Sequence, residues 1–250
     1  MYYRSRVLII KNNDFRETDK LVTVFSEKQG KLKAIAKGVK KPKSSLRACI
    51  QPFCHSELFF SKGKELDLIT QGRIFEFYGN IRENINCTLN VLYIMELLDK
   101  SLMDRLALPV LYSNTLAVLD YLNRNEHNPL IIRFFEMNLL INLGYSPVFD
   151  HCAHCGTKGN GPLLFDLAEG GVLCSECAAG CHTTFSLSPE SLALAKMLMT
   201  GSINVVKRVR ASGPALKQLE NFLEKYLEYY LERRFNMKYT LQRLKNLTIE

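Results

Sequence analysis

Near Gly79 the hydrophobic period of the chain switches from two residues to between three and four, and a switch of that kind decides which architectures are open to it. Before the switch, Tyr3 to Lys11 set Arg4, Arg6, Leu8 and Ile10 against Ser5, Val7 and Ile9, a β-branched alternation that predicts a strand. Leu21 to Glu27 and Lys31 to Lys37 predict two more, joined by Lys28-Gln29-Gly30-Lys31, where Gly30 suits a hairpin turn. A fourth strand runs from Phe53 to Ser61 and turns at Lys62-Gly63-Lys64 into a fifth, Glu65 to Thr70, with a continuation from Arg73 to Tyr78.

After the switch, leucines fall at helical spacing. Leu89, Leu92, Tyr93, Glu96 and Leu97 begin one helix, and Pro109 to Leu122 make a second. A third has its ends marked, with Asn128 as N-cap, Pro129 at the first helical position, Gly144 just past the end and Pro147 beyond it. Only Arg133, Glu136, Asn138 and Asn142 are polar along it, which predicts a mostly buried helix. Ser188-Pro189 opens a short helix through Met199, and Pro214 starts a long amphipathic one carrying Leu216, Leu219, Phe222, Leu223, Tyr226 and Leu227 on one face. The expected fold class is therefore α+β: a five-stranded barrel, then an all-α domain with a cysteine module inserted in it. The predicted division is 1–80 for the barrel, 81–150 and 183–250 for the helices, and 151–182 for the module. Five short antiparallel strands with a long connection between the third and fourth fit an OB-fold barrel; an SH3-like barrel satisfies the same pattern.

The module is read from cysteine spacing. Five of the eight cysteines lie between positions 152 and 181, and Cys152-Ala-His-Cys155 and Cys174-Ser-Glu-Cys177 are C-x₂-C knuckles with eighteen residues between them. Four thiolates so spaced can close a tetrahedron around Zn²⁺, and a small loop poor in apolar residues needs such a staple. A full set of four leaves no position for a reacting water, so one structural zinc ion is expected. Gly156, Gly159, Gly161, Gly170 and Gly171 supply turns around the knuckles, and Cys181, His151, His154 and His182 stand close enough in sequence to substitute as ligands. A redox dithiol would need a single C-x-x-C beside a βαβ unit, which the pattern does not offer. Cys49, Cys54 and Cys87 read as buried thiols.

Charge is as unevenly distributed as the cysteines. The chain carries 33 Lys and Arg against 25 Asp and Glu; residues 1–80 hold 16 and 8 of these, so the remainder is balanced. Lys28 to Arg47 alone contains eight cations and no acid. A neutral body with one basic module is what a polyanion binder requires, because neutralising phosphates releases condensed counterions. The candidate phosphate contacts are Lys31, Lys33 and Lys37 along the third strand, then Lys40, Lys41, Lys43 and Arg47 on the loop after it. Stacking rings would come from Tyr2, Tyr3, Phe15, Phe25, Phe53, Phe59, Phe60, Phe75, Phe77 and Tyr78, most of which a barrel core must claim. A solvated lysine loop and a zinc-ribbon RNA-binding or ribosome-associated protein are the competing readings.

Other classes find no support in the sequence. No Ser/His/Asp set, phosphate-binding glycine loop or acidic metal triad can be assembled, and Gly30-Lys31 and Gly63-Lys64 lack the remainder of a Walker loop, so no enzymatic activity is expected. The uncharged stretches 106–119 and 137–149 are short and contain Pro109 and Pro147, and Val7 to Ile10 is too short for a secretory apolar region. A cytoplasmic, nucleoid-associated protein without membrane contact is the expectation.

Several of these segments together resemble the RecO family of bacterial recombination mediators. The resemblance runs through Glu17-Thr18-Asp19-Lys20-Leu21, Gly30-Lys31, Ala36-Lys37-Gly38-Val39-Lys40-Lys41-Pro42-Lys43-Ser44 and Gln51-Pro52-Phe53. It returns at Arg133-Phe134-Phe135-Glu136 and at Leu143-Gly144-Tyr145-Ser146-Pro147 leading into Cys152-Ala-His-Cys155-Gly156. It implies an OB-fold, a helical domain and a zinc module, the last with all four cysteines retained. It further implies a protein that binds single- and double-stranded DNA, anneals complementary strands and, with RecR, loads RecA onto DNA coated by single-strand-binding protein. The acidic C-terminal tail of that coating protein would dock on the helical domain, and Arg133, in the matching motif, is the residue the resemblance offers for a basic rim there.

Overall fold

The structure, a computed structural model, describes residues 1–124, 128–158, 164–179 and 184–237. It divides into two compact units, Met1–Glu126 with Phe235–Glu250, and His127–Arg234.

The first unit is built on strands β1 (Tyr2–Asp14), β2 (Lys20–Ser26) and β3 (Gly30–Ala36), a short helix α1 (Leu46–Cys49), and strands β4 (His55–Ser61) and β5 (Asp67–Glu76). They close into a barrel in the order β1-β2-β3-β5-β4, with β4 pairing back onto β1 and β3 running parallel to β5 through Ala34–Asp67, Ile35–Leu68 and Ala36–Ile69. A parallel β3–β5 closure with a helix between β3 and β4 is the OB arrangement and removes the SH3-like alternative. Alternation decides what lies inside: Val7, Ile9, Val22, Val24, Leu32, Ala34, Ala36, Leu58 and Phe60 are buried together, and Leu46, Cys49 and Ile50 close one end. The two segments expected to make the fifth strand are one continuous strand, with irregular register opposite Ser56 and Phe60.

Helices α2 (Gly79–Glu83), α3 (Ile85–Ser101) and α4 (Pro109–Asn123) share this unit. The change at Gly79 marks a change of secondary structure; it is not where this compact unit ends. The helices cover part of the barrel's outer surface, so Leu8 and Ile10, which alternation would turn to solvent, are buried, and Phe25 meets Tyr112 of α4 edge-on with ring centroids 5.4 Å apart.

The second unit has α5 (Leu130–Asn142) at its centre, then β6 (Leu164–Asp166), β7 (Gly171–Leu173), α6 (Ser175–Ala178), β8 (Thr184–Ser186), α7 (Pro189–Thr200), α8 (Ile203–Val206) and α9 (Gly213–Leu231). Helices α7, α8 and α9 pack on α5, which explains why α5 is apolar almost all round. Asn128 caps from one residue further out than expected: its Oδ1 accepts the Leu130 amide at 3.0 Å while its Nδ2 donates to the carbonyls of Val206 and Val209. Strands β6–β8 form a three-stranded sheet in the order β7-β6-β8, fixed to α9 by Phe165 packed edge-on against Phe222 at 4.7 Å. Among the described residues no helix is long and apolar enough to cross a membrane.

Candidate nucleic-acid interface and metal centre

The outer row of β3 grades from sealed to open. Lys31, nearest the hairpin, is only 12% exposed: its ammonium donates to the Asp99 carbonyl at 2.7 Å and lies 3.5 Å from the Asp104 carboxylate. Its own carbonyl accepts the Arg105 amide at 2.8 Å. The charge of Lys31 thus satisfies the end of α3 and the loop after it, and little of the side chain expected to contact phosphate is left to solvent. Lys33 and Lys37, further along the same face, are exposed.

Beyond β3 the basic run makes a loop held almost entirely through its backbone. Gly38, at φ +61, turns the chain so that its amide donates to Asp19 Oδ1 at 2.8 Å, and the Lys40 amide donates to the Thr18 carbonyl at 3.0 Å. Arg47, exposed as expected, reaches back to donate to the carbonyls of Lys40 and Lys41 at 2.6 and 3.0 Å. Its guanidinium therefore braces the loop from one side while Asp19 fastens it from the other. Lys41 and Lys43 stand on this frame with exposed side chains, and Lys40 turns toward Asp14, 2.9 Å away. The Gly38 amide, followed by lesser contributions from Thr18 and nearby cations, holds the Asp19 carboxyl below its ordinary range.

The composition of the run did not reveal Asp14, Asp19 and Lys20, although Glu17-Thr18-Asp19-Lys20 stands out in the sequence. Lys20 lies on the last rung of the β1–β2 ladder, opposite Asp14. Of the rings, Phe25, Phe53, Phe60 and Tyr78 are buried, whereas Tyr2, Phe15, Phe75 and Phe77 are exposed. Phe77 and Phe53 sandwich the Arg82 guanidinium at 4.2 and 4.3 Å, and Phe75 lies within about 6 Å of both Arg6 and Arg73. Phe15 is next to Asp14 in the chain, with Arg16 over its face at 5.2 Å.

In the second unit the two knuckles come together. The sulfurs of Cys152, Cys155, Cys174 and Cys177 all lie within 4.8 Å of one another, and Cys155 and Cys174 are 3.8 Å apart. A tetrahedron with metal–sulfur bonds of about 2.3 Å has sulfur–sulfur edges of about 3.8 Å, so the spacing is that of metal ligands and far from a disulfide. The backbone supports the same reading. Amides of Cys155 and Cys174 point at the Cys152 sulfur and push its thiol down to about 6, and Thr157, 3.3 Å from the Cys155 sulfur, lowers that thiol too. Cys177, crowded by Cys174 and the other sulfurs, is pushed up. The four cysteines could thus hold a metal ion; among the described residues no other group of three or more His, Cys, Asp or Glu could do so.

Gly171 explains the tight fit of the module. A Cβ there would stand 2.8 Å from the Cβ atoms of both Val148 and Ala153, where the chain entering the first knuckle pairs with β7. His154 is exposed and 3.4 Å from Glu169, directed at a carboxylate. Cys181, His182, Gly159 and Gly161 lie outside the described residues.

Arg133 is nearly sealed from solvent. It is 8% exposed in the first turn of α5, 3.0 Å from Glu136, which is fully buried, and 3.7 Å from Glu220 of α9. The sequence showed a cation on an apolar helix but not the acid contributed by a helix more than eighty residues later. Its position fits an internal ion pair, where the sequence expectation had a basic rim for an acidic peptide.

A family model described as the N terminal of Recombination protein O matches residues 1–78, and one described as its C terminal matches residues 82–238. A DNA repair protein RecO of Syntrophomonas wolfei is 58% identical over 245 residues, covering 98% of each chain. Those of Oceanobacillus iheyensis and Desulforamulus reducens are 40% identical over 171 residues and 31% over 222, covering 68% and 88% of this chain and 66% and 86% of their own. Barrel, cysteine cluster and end-to-end similarity agree, and the chain belongs to the RecO family of DNA repair proteins.

Proposed function

We propose that this chain is a recombination mediator that acts by binding and not by catalysis. Its barrel neutralises backbone phosphates of single- and double-stranded DNA, holds complementary strands for annealing and, together with RecR, helps RecA load onto DNA coated by single-strand-binding protein. The observation that carries the reading is the braced loop: Lys33, Lys37, Lys41 and Lys43 are exposed, and the backbone under the loop residues is fixed by Asp19, Thr18 and Arg47. Cations on a pre-ordered frame lose little freedom on binding.

The functional division follows the sequence: 1–80 for DNA, 81–150 and 183–250 for partner proteins including the coating protein's acidic tail, and 151–182 for one structural zinc ion on Cys152, Cys155, Cys174 and Cys177. Four thiolates favour zinc over hard cations, and with every position filled the ion stabilises the module and activates no water. The protein would work in the cytoplasm, at the nucleoid.

The test is fluorescence anisotropy with labelled single-stranded DNA across a salt titration. Wild-type protein should bind with affinity that falls steeply with salt, and K37Q/K41Q/K43Q should lower the slope of log K against log salt by about 0.7 per residue, equally for unrelated sequences. An unchanged slope, or preference for matched RNA in competition, would count against the reading.

A further inference from the structure

Asp14 ends β1 with its carboxylate held between two lysines, 3.2 Å from Lys20 Nζ and 2.9 Å from Lys40 Nζ. The acid is 68% exposed and the lysines only 28% and 31%. The cations are the recessed partners, and the anion is the one facing solvent. We propose that Lys20 and Lys40 form a subsite for a DNA backbone phosphate, and that Asp14 occupies its place in the free protein; this rests on the DNA-binding reading above.

The Lys20 ammonium and the Lys40 backbone are positioned by contacts independent of Asp14's charge. Lys20 is held opposite Asp14 by the β1–β2 register, and its Nζ also donates to Asn12 Oδ1 at 2.9 Å. The Lys40 backbone is fixed by the hydrogen bond its amide donates to the Thr18 carbonyl and by the Arg47 side chain on its own carbonyl, which roots the side chain beside Lys20. Removing the carboxylate therefore leaves the Lys20 ammonium held by Asn12 and the Lys40 side chain anchored at a fixed backbone beside it.

The surroundings suit a nucleotide. A cleft of about 230 Å³ adjoins the lysines, with Val39 and Ile50 as apolar floor and Lys20, Lys40 and Arg47 on its walls. Phe15, 40% exposed, follows Asp14 directly. An apolar recess, a cationic rim and a nearby ring are the elements that grip a single strand. The pair of lysines keeps the Asp14 carboxyl below its ordinary range, Lys40 contributing most, so the acid stays charged wherever the protein is folded and neutral in pH.

Energetics permit the exchange. An exposed ion pair contributes little, so displacing Asp14 costs little, whereas each phosphate seated releases condensed counterions. The acid nonetheless opposes every approach of DNA to that spot. Asp14 thus attenuates the grip of the barrel, which a protein that must hand its strand on requires.

The experiment compares full-length wild type, D14N, K20Q/K40Q and D14N/K20Q/K40Q for binding to fluorescein-labelled oligo(dT), each checked for an unchanged melting profile. D14N should bind about two- to fivefold more tightly at low salt. Its salt slope should steepen by about 0.7. The gain should vanish in the K20Q/K40Q background. Equal binding by D14N and wild type overturns the subsite while leaving DNA binding intact, and a gain that persists without the two lysines assigns it to net charge alone. Failure of the wild type to bind the oligonucleotide overturns the DNA-binding reading itself.

Discussion

The Asp19 carboxylate, one residue before β2, accepts the Gly38 amide at 2.8 Å and so fastens the start of the basic loop to the strand that β3 pairs with. Asp19 is itself buried against the barrel, so the lysines that follow Gly38 inherit the rigidity of the sheet. Replacing Asp19 with Ala should leave the barrel folded and free the loop, which then has to be ordered by each strand it binds. Affinity for single-stranded DNA should fall by about two- to tenfold, while Asp19→Asn, which keeps an accepting oxygen, falls between. Anisotropy titrations on the three proteins check this; equal affinities would mean the loop needs no such anchor.

The same contact predicts a pH dependence. Asp19 is held below its ordinary range chiefly by the Gly38 amide. A carboxyl depressed on folding stabilises the folded state fully above its unfolded value of about 3.9 and gives that up as pH falls through the depressed value. The Gly38 amide proton resonance, followed by NMR in an acid titration, should move with a midpoint below about 3.9. A midpoint at or above that value would show that the bond is not formed in solution.

Much of this was legible because local signals and tertiary structure agree. Alternation in Val22, Val24, Leu32, Ala34 and Ala36 needs only a barrel interior to be satisfied, and the cysteine spacing needs only one turn of sheet between the knuckles. What stayed hidden were the partners far away in sequence. Lys31 meets Asp99 and Asp104, and Arg133 meets Glu220 beside its own helical neighbour Glu136, through elements that no local pattern brings together. One signal was available for the helices on the barrel. Val7-Leu8-Ile9-Ile10 is four apolar residues in a row, and a strand apolar on both faces is buried on both. The role of Asp14 and Asp19 as counterparts of the basic run could not be read from charge counting, which scores an acid only as a loss.

The metal centre makes a chemical prediction. Purified protein should carry one zinc per chain, and titration with an organomercurial should release it in step with modification of the four thiols. Cys174→Ser should abolish the zinc and unfold the module, because structural zinc in small modules contributes on the order of 10 kcal/mol of apparent binding energy. In the second unit, loss of the module exposes Phe165, which Phe149 and Phe222 cover. The zinc-free variant should therefore melt earlier and bind a hydrophobic dye that the wild type excludes. Full occupancy by another metal, or an unchanged melt without any, would remove the structural role assigned to zinc.

Arg133 supplies the last test, because its two readings predict opposite results. If its guanidinium serves the buried Glu136, then Arg133→Ala leaves a carboxylate at 0% exposure without its nearest cation and should destabilise the second unit by about 3–5 kcal/mol in urea denaturation. Removing both charges with apolar residues of similar volume, as R133M/E136L, should recover most of that loss, since the desolvation cost disappears with the ions. Glu220 lies 3.7 Å from the same guanidinium and is 29% exposed, so in the double variant it can turn to water. Binding of the coating protein's acidic tail should be the same for wild type and R133M/E136L. A stable Arg133→Ala that binds the tail more weakly would reverse the assignment and put the cation back on a docking surface.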